Sequence, residues 1–276
     1  FLPTCFRVEW PSDHEESSVN LEDESSLLQQ LLGPLNSQLF LGRYFRESAV
    51  HVPSHPSTDG ANRLQNIASQ LFDLDPKSIL RETSSESVFV WIRKNHTARI
   101  HSIEVNDAES AFQLYQAGHA TYCRSPPTLE QVLVQNMLRG TGLGCGQYDP
   151  TRQRLTSMGR GEVEVFMSTK DHITNWHYDF QENFTLQLSG VKEWCVQKGT
   201  VRHPLRGCTP HYNTPDAVES QVLAARLADR NFQFGEPVAG SAAIGDVETI
   251  TLKPGDVFYF PAGMWHKIKV VEPGVS

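Results

Sequence analysis

The chain of 276 residues reads as a mainly β fold with supporting α-helices, and three features predict it. Its second half is cut into short apolar or alternating runs that have the length and period of strands. Turn chemistry separates those runs, at Ser189-Gly190, Lys253-Pro254-Gly255-Asp256 and Pro261-Ala262-Gly263. Stretches with helical spacing lie mostly in the first half. At this length one large β domain with an extension is expected, in preference to two small domains.

Residues 12–26 are acidic and serine-rich, so 1–26 reads as a solvated, flexible flank. Residues 27–32 and 62–71 carry helix-like apolar spacing, with Pro34 ending the first. Strands are expected at 87–92 and 99–105, around a polar turn at 94–97. Helices are expected next at 108–117 and 128–138, the second opened by Thr128 and Gln131 in a capping-box pattern. The glycines of 140–146 lack the strand and spacing of a phosphate loop and read as a flexible entry to the β core. The single domain thus divides into an α/β support over 27–160 and a β core over 161–276.

Within the core, 183–188 alternates as a strand and 191–196 reads as its partner across a two-residue hairpin turn. That pairing sets Leu188 against Val191 and Gln187 against Lys192. Lys192 would then share a face with Asn183, Thr185 and Gln187, opposite the apolar Phe184, Leu186 and Leu188. Residues 249–252 and 257–260 form further strands. In 265–271, His266, Ile268 and Val270 share one face and Lys267 and Lys269 the other. Between 202 and 245 the sequence reads as loop, then helix at 216–229. His203 and His211 there are candidates for substrate contact, although plain loop histidines are the simpler reading.

The chemistry is concentrated in T-N-W-H-Y-D-F-Q-E-N-F-T-L-Q-L-S-G-V-K, residues 174–192. His177 and Asp179 are two apart, so on a strand both leave the same face while Tyr178 points away. With 11 His and 32 acidic residues, about one such pair arises by chance, and His14-x-Glu16 is a bystander of that kind. What distinguishes the second pair is its setting and a third candidate, His266, in P-A-G-M-W-H-K-I. Two imidazoles and one carboxylate leave open positions on a metal, the arrangement of Fe(II) oxygenases. A lysine aimed into a β structure needs an anionic partner, because a buried ammonium without one is costly. A bound dicarboxylate would supply that partner to Lys192; a head group that escapes to solvent past its apolar stem is the alternative.

From about residue 43 to 271 the chain resembles the JmjC and cupin-like family of Fe(II)- and 2-oxoglutarate-dependent oxygenases. Within it the likeness is to the protein hydroxylases, nearest the asparaginyl hydroxylase that inhibits hypoxia-inducible factor. The family's iron ligands correspond to His177, Asp179 and His266. Its threonine three residues before the first His, asparagine six after and lysine fifteen after correspond to Thr174, Asn183 and Lys192, which bear on 2-oxoglutarate. Tyr122 is a possible counterpart of a tyrosine that holds the far carboxylate, but no motif fixes it. The resemblance implies a double-stranded β-helix, or jelly roll, with a helical N-terminal extension. It also implies ferrous iron, 2-oxoglutarate as co-substrate, dioxygen, and a protein or peptide substrate. One more core strand is expected past His266, beginning near Val275-Ser276, and the start at Phe1 suggests a partial sequence.

A net charge of -8 and a pI near 5.8 argue against broad nucleic-acid binding. No apolar run reaches membrane-spanning length. Five cysteines, at 5, 123, 145, 195 and 208, without C-x-x-C spacing, fit a reducing compartment, cytoplasmic or nuclear. The glycosylation-like triplets at 95–97 and 183–185 are expected by chance, and the second falls inside the proposed site. Other functions remain open: lysine demethylation, hydroxylation of a small molecule or tRNA base, or a cupin-like binding module or isomerase without this oxygen chemistry.

Overall fold

The computed structural model describes residues 2–12, 27–55, 75–92, 101–143, 148–149, 151, 154–155, 161–211, 214–237 and 243–276. Its strands, in chain order, are β1 (Cys5–Arg7), β2 (Ala49–Val52), β3 (Val88–Ile92), β4 (His101–Val105), β5 (Ala120–Arg124), β6 (Tyr148–Asp149), β7 (Arg154–Leu155) and β8 (Glu164–Ser168). They continue as β9 (Ile173–His177), β10 (Asn183–Leu186), β11 (Val191–Gly199), β12 (Ala243–Leu252), β13 (Val257–Phe260), β14 (Trp265–Glu272) and β15 (Gly274–Val275). Two four-stranded sheets, ordered β1-β2-β13-β10 and β12-β11-β14-β9, make the jelly roll. A five-stranded sheet, β15-β8-β5-β3-β4, stands against it, and β6 and β7 pair separately.

Strand β13 is apolar at every position because it lies between two cores. Phe258 and Phe260 pack into the barrel with Ala49, Trp194, Val196, Ile250, Leu252 and Met264. Val257 and Tyr259 face the opposite way, into a core shared with the helices and with Val88, Val90, Cys123, Val165 and Met167 of the five-stranded sheet. A strand covered on both faces has no polar side to show. On β10, Phe184 and Leu186 pack against that same outer core, leaving Asn183 and Thr185 on the face of their partners Phe260 and Phe258. The expected division of faces on this strand is therefore present.

The expected hairpin is not. β10 pairs with β13, whereas β11 pairs with β12 and β14 in the other sheet, so Ser189-Gly190 is a crossover between sheets. A two-residue type I′ hairpin turn needs positive φ at both central residues. Of the two, only Gly190 has it, at 69°, and a Cβ there would lie 2.4 Å from the Pro273 carbonyl oxygen. The Leu188 and Ser189 amides donate to the Val275 carbonyl instead of closing the turn on Val191. Lys192 consequently faces Val270 and Leu252, not Gln187.

Other boundaries differ from those the sequence pattern predicts. Residues 2–12 are not a solvated flank: β1 runs parallel to β2, the Val8 amide donates to the His51 carbonyl and Trp10 Nε1 donates to the Pro53 carbonyl at 2.8 Å. Residues 13–26, the expected helix at 62–71 and the turn at 94–97 lie outside the described residues. The first helices are α1 (Leu27–Leu32), as expected, α2 (Ser37–Leu39) and α3 (Pro76–Glu82), with a π turn at Phe40–Tyr44; α4 (Ala108–Gln116) comes next. Helix α5 (Pro127–Thr141) starts one residue before the expected capping box; its cap is Pro126, with no side-chain bond, so Thr128 and Gln131 sit inside the first turns. It runs into the glycine-rich stretch and stops at Gly142, whose φ of 74° is the left-handed terminator. Helix α6 (Pro215–Ala228) matches the expected helix within the insert between β11 and β12. After β14 the chain forms β15, which pairs with β8 in the five-stranded sheet and not in either jelly-roll sheet. Among the described residues no helix is long and apolar enough to cross a membrane.

One buried ionisable pair ties the turn before β13 to β2. His51 Nε2 lies 2.9 Å from Asp256 Oδ2, and the carboxylate also accepts the Ser54 amide at 2.7 Å and the Lys253 amide at 3.1 Å. Removing that acceptor leaves the buried His51 imidazole and the Ser54 and Lys253 amides without it. We expect Asp256→Ala to cost about 2–4 kcal/mol in urea unfolding; a loss well under about 1 kcal/mol would show that the network does not hold the strands together.

Candidate metal centre

His177 ends β9 and His266 begins β14, and the antiparallel register sets the two directly opposite each other. Their ring centroids are 4.0 Å apart. Asp179, two residues beyond His177, brings Oδ2 to 3.6 Å from His266 Nε2. One ligand atom from each of the three lies within 4.8 Å of the others, the only such cluster found among the described residues. The turn into β14 is fixed from the same place, because the Gly263 amide donates to the Asp179 carbonyl at 2.9 Å. Gly263 has φ of 79°, and a Cβ there would meet the Val201 carbonyl oxygen at 2.0 Å. Glycine is required.

The tautomers are set by backbone partners. His177 Nδ1 lies 2.7 Å from the Asn175 carbonyl and His266 Nδ1 3.0 Å from the Met264 carbonyl. A carbonyl only accepts, so each Nδ1 carries the proton and each Nε2 presents its lone pair to the centre. Burial, and for His177 also the neighbouring His266, pulls these imidazoles down to about 3 and about 4. Both are neutral at pH 7, as ligands must be. Burial raises the Asp179 carboxyl while His177 lowers it, and the burial effect is tempered because 35% of its side chain stays accessible. Two neutral Nε2 donors and one carboxylate fit a divalent cation with open positions.

Thr174 poses a problem for strict alternation, since it lies three positions before His177. A β-bulge solves it. His266 pairs with His177 and Ile268 with Thr174, so two steps on β14 match three on β9. The extra residue returns Thr174 to the face of the ligands. Asn183, opposite Phe260, belongs to the inner face near the metal end, since the Phe260 ring is 4.6 Å from that of His266. Its amide donates to the Gln181 carbonyl at 2.9 Å.

Lys192 is 4% exposed and points inward beside Val270 and Leu252. Its ammonium donates to Ser276 Oγ and lies 5.8 Å from the centre of the Phe166 ring. No carboxylate pairs with it among the described residues, and burial alone pulls it from 10.5 to about 7. Tyr122 reaches the same wall, its ring 5.0 Å from that of Phe166. The Tyr122 hydroxyl, however, donates to Glu164, whose carboxyl is raised by burial.

Several neighbours were not anticipated. Glu164 and Phe166 lie on β8, a strand with too little alternation to stand out, and Trp91 stacks on Phe166 at 5.8 Å and on His172 at 5.6 Å. His211 sits edge-on to His177 at 5.7 Å, whereas His203 is exposed. A backbone bridge between Tyr178 and Cys208 straps the insert beside the ligands. Tyr178 points away as expected and packs with Cys208, Phe232 and Trp265.

Parts of this chain are similar to known proteins. Residues 146–275 match the family described as the cupin-like domain. Over 94 residues the chain is 30% identical to the uncharacterized protein YxbC of Bacillus subtilis strain 168, covering 34% of this chain and 25% of that one. Among solved structures it is similar to Escherichia coli YcfD, with a TM-score of 0.48 and 16% identity over 87% of this chain and 51% of that chain. YcfD, a ribosomal oxygenase, in complex with cobalt and 2-oxoglutarate gives 0.43 and 15% over 88% and 50%. The chain thus spans a quarter of the length of the Bacillus relative and about half that of YcfD. Over residues 146–275 the chain is thus similar to the cupin-like domain, and its two four-stranded sheets have a jelly-roll arrangement.

Proposed function

We propose that the chain is an Fe(II)- and 2-oxoglutarate-dependent oxygenase that hydroxylates a protein side chain. The observation that carries this reading is a convergence inside one barrel. Two neutral imidazoles and a carboxylate meet at one end, and a buried ammonium without a carboxylate partner among the described residues stands deeper on the same inner surface.

In this reading His177, Asp179 and His266 hold the iron. Lys192 and Thr174 bind the far carboxylate of the co-substrate, an ammonium–carboxylate contact of the strong kind. Asn183 lies nearer the metal end. Tyr122 adds a hydroxyl only when Glu164 is protonated, since the single phenolic proton is otherwise committed to that carboxylate. Iron and co-substrate, with dioxygen as the oxidant, would supply oxidative decarboxylation to succinate and carbon dioxide, one atom of the dioxygen going to succinate and the other into a substrate C–H bond. The protein's own share is position, charge and a dry cavity walled by Trp194, Phe258 and Phe260.

A macromolecular substrate is supported by the resemblance of Thr174, Asn183 and Lys192 to the protein hydroxylases, the asparaginyl hydroxylase among them. It is also supported by the rim. Phe180, next to Asp179, is 52% exposed, and Leu205 is 66% exposed on a loop whose Gly207 would place a Cβ 3.0 Å from the Tyr178 carbonyl oxygen. Exposed apolar side chains at the mouth of a polar site suit a docking peptide.

His177→Ala or Asp179→Ala should abolish conversion of 2-oxoglutarate to succinate in anaerobically loaded, then oxygenated, enzyme; turnover equal to wild type would refute the metal assignment. At pH 8 Lys192 is mostly neutral before the co-substrate arrives, and a carboxylate beside it raises its pKa, so binding takes up a proton. Calorimetry in two buffers of different ionisation enthalpy should show that uptake. Identical apparent enthalpies would remove Lys192 from the role.

A further inference from the structure

Trp194 carries a polar atom that the fold leaves without a partner among the described residues. Its side chain is 6% exposed, and Nε1 is buried and makes no hydrogen bond there. Buried indole N–H groups ordinarily find an acceptor, because leaving one unsatisfied is costly. This one stands where an acceptor would arrive.

On β11, Trp194 lies two residues beyond Lys192 and so shares its inward face. It pairs with Ile268 and Ile250 on the flanking strands. Its ring stacks on His266 at 5.7 Å with 26° between planes, and lies 5.4 Å from both Phe258 and Phe260. The indole thus stands between the Lys192 ammonium, which donates to Ser276 Oγ, and His266, a proposed metal ligand. The nearest full charge on its own strand face is the Lys192 ammonium, which selects an anionic acceptor.

We propose that the Trp194 indole N–H donates a hydrogen bond to a carboxylate oxygen of the bound dicarboxylate co-substrate. The inference rests on the 2-oxoglutarate reading above and adds a contact that the resemblance does not supply. Trp194 is a binding residue in this account, its donor having no acceptor among the described residues.

The test uses protein loaded with zinc, which binds the same donors without redox turnover. By calorimetry, Trp194→Phe should bind 2-oxoglutarate about tenfold more weakly than wild type, the worth of one hydrogen bond to a charged acceptor. The same variant without ligand should be as stable as wild type or more so, since it removes an unsatisfied donor and keeps an aromatic ring. In protein labelled with 15N-tryptophan, the indole resonance missing from Trp194→Phe should move downfield in wild type when 2-oxoglutarate is added. Equal affinities with an unmoved resonance would overturn the inference and leave the co-substrate reading standing. Failure of wild type itself to bind 2-oxoglutarate would overturn both.

Discussion

The pairing of β9 with β14 is the constraint on which the rest depends. It joins residues 89 positions apart in the chain and sets His177 opposite His266. No local preference could do that. The bulge in the same ladder then restores Thr174 to the ligand face, so one irregular pair of strands positions two imidazoles and a hydroxyl together. Asp179 is added by the chain leaving β9, held by the Gly263 amide and by the bridge from Tyr178 to Cys208.

Holding that pair in place requires the second sheet. The barrel interior is filled by Trp194, Val196, Leu252, Phe258 and Phe260, and its outer wall is covered by helices and by the five-stranded sheet. Within so apolar an interior, Lys192 and the two metal-facing histidines are conspicuous, and burial acts on all three in one direction, toward the neutral form. Neutrality prepares the histidines to bind a cation. For the lysine it reflects burial with no carboxylate paired to it among the described residues.

Much of the site was legible because its spacing is short. H-x-D reads directly as two side chains on one strand face, and the alternation over 265–271 places His266 correctly. The inward direction of Lys192 was also legible, but for a reason that proved wrong. The apolar pattern fixed the face, while the supposed hairpin concealed a crossover, which short-range pattern cannot reveal because both pairings satisfy the same alternation. β1 and β2 were missed since three- and four-residue strands carry almost no periodic signal. Glu164 was beyond reach for a different cause: its nearness to the site comes from tertiary packing, and no motif marks it.

The central claim is that His177, Asp179 and His266 close on a single divalent ion. X-ray absorption spectroscopy of the anaerobically iron-loaded protein tests it most directly. The account predicts a nitrogen and oxygen shell with the outer scattering of two imidazoles, reduced to one in His266→Ala. A wild-type spectrum without imidazole scattering would contradict it.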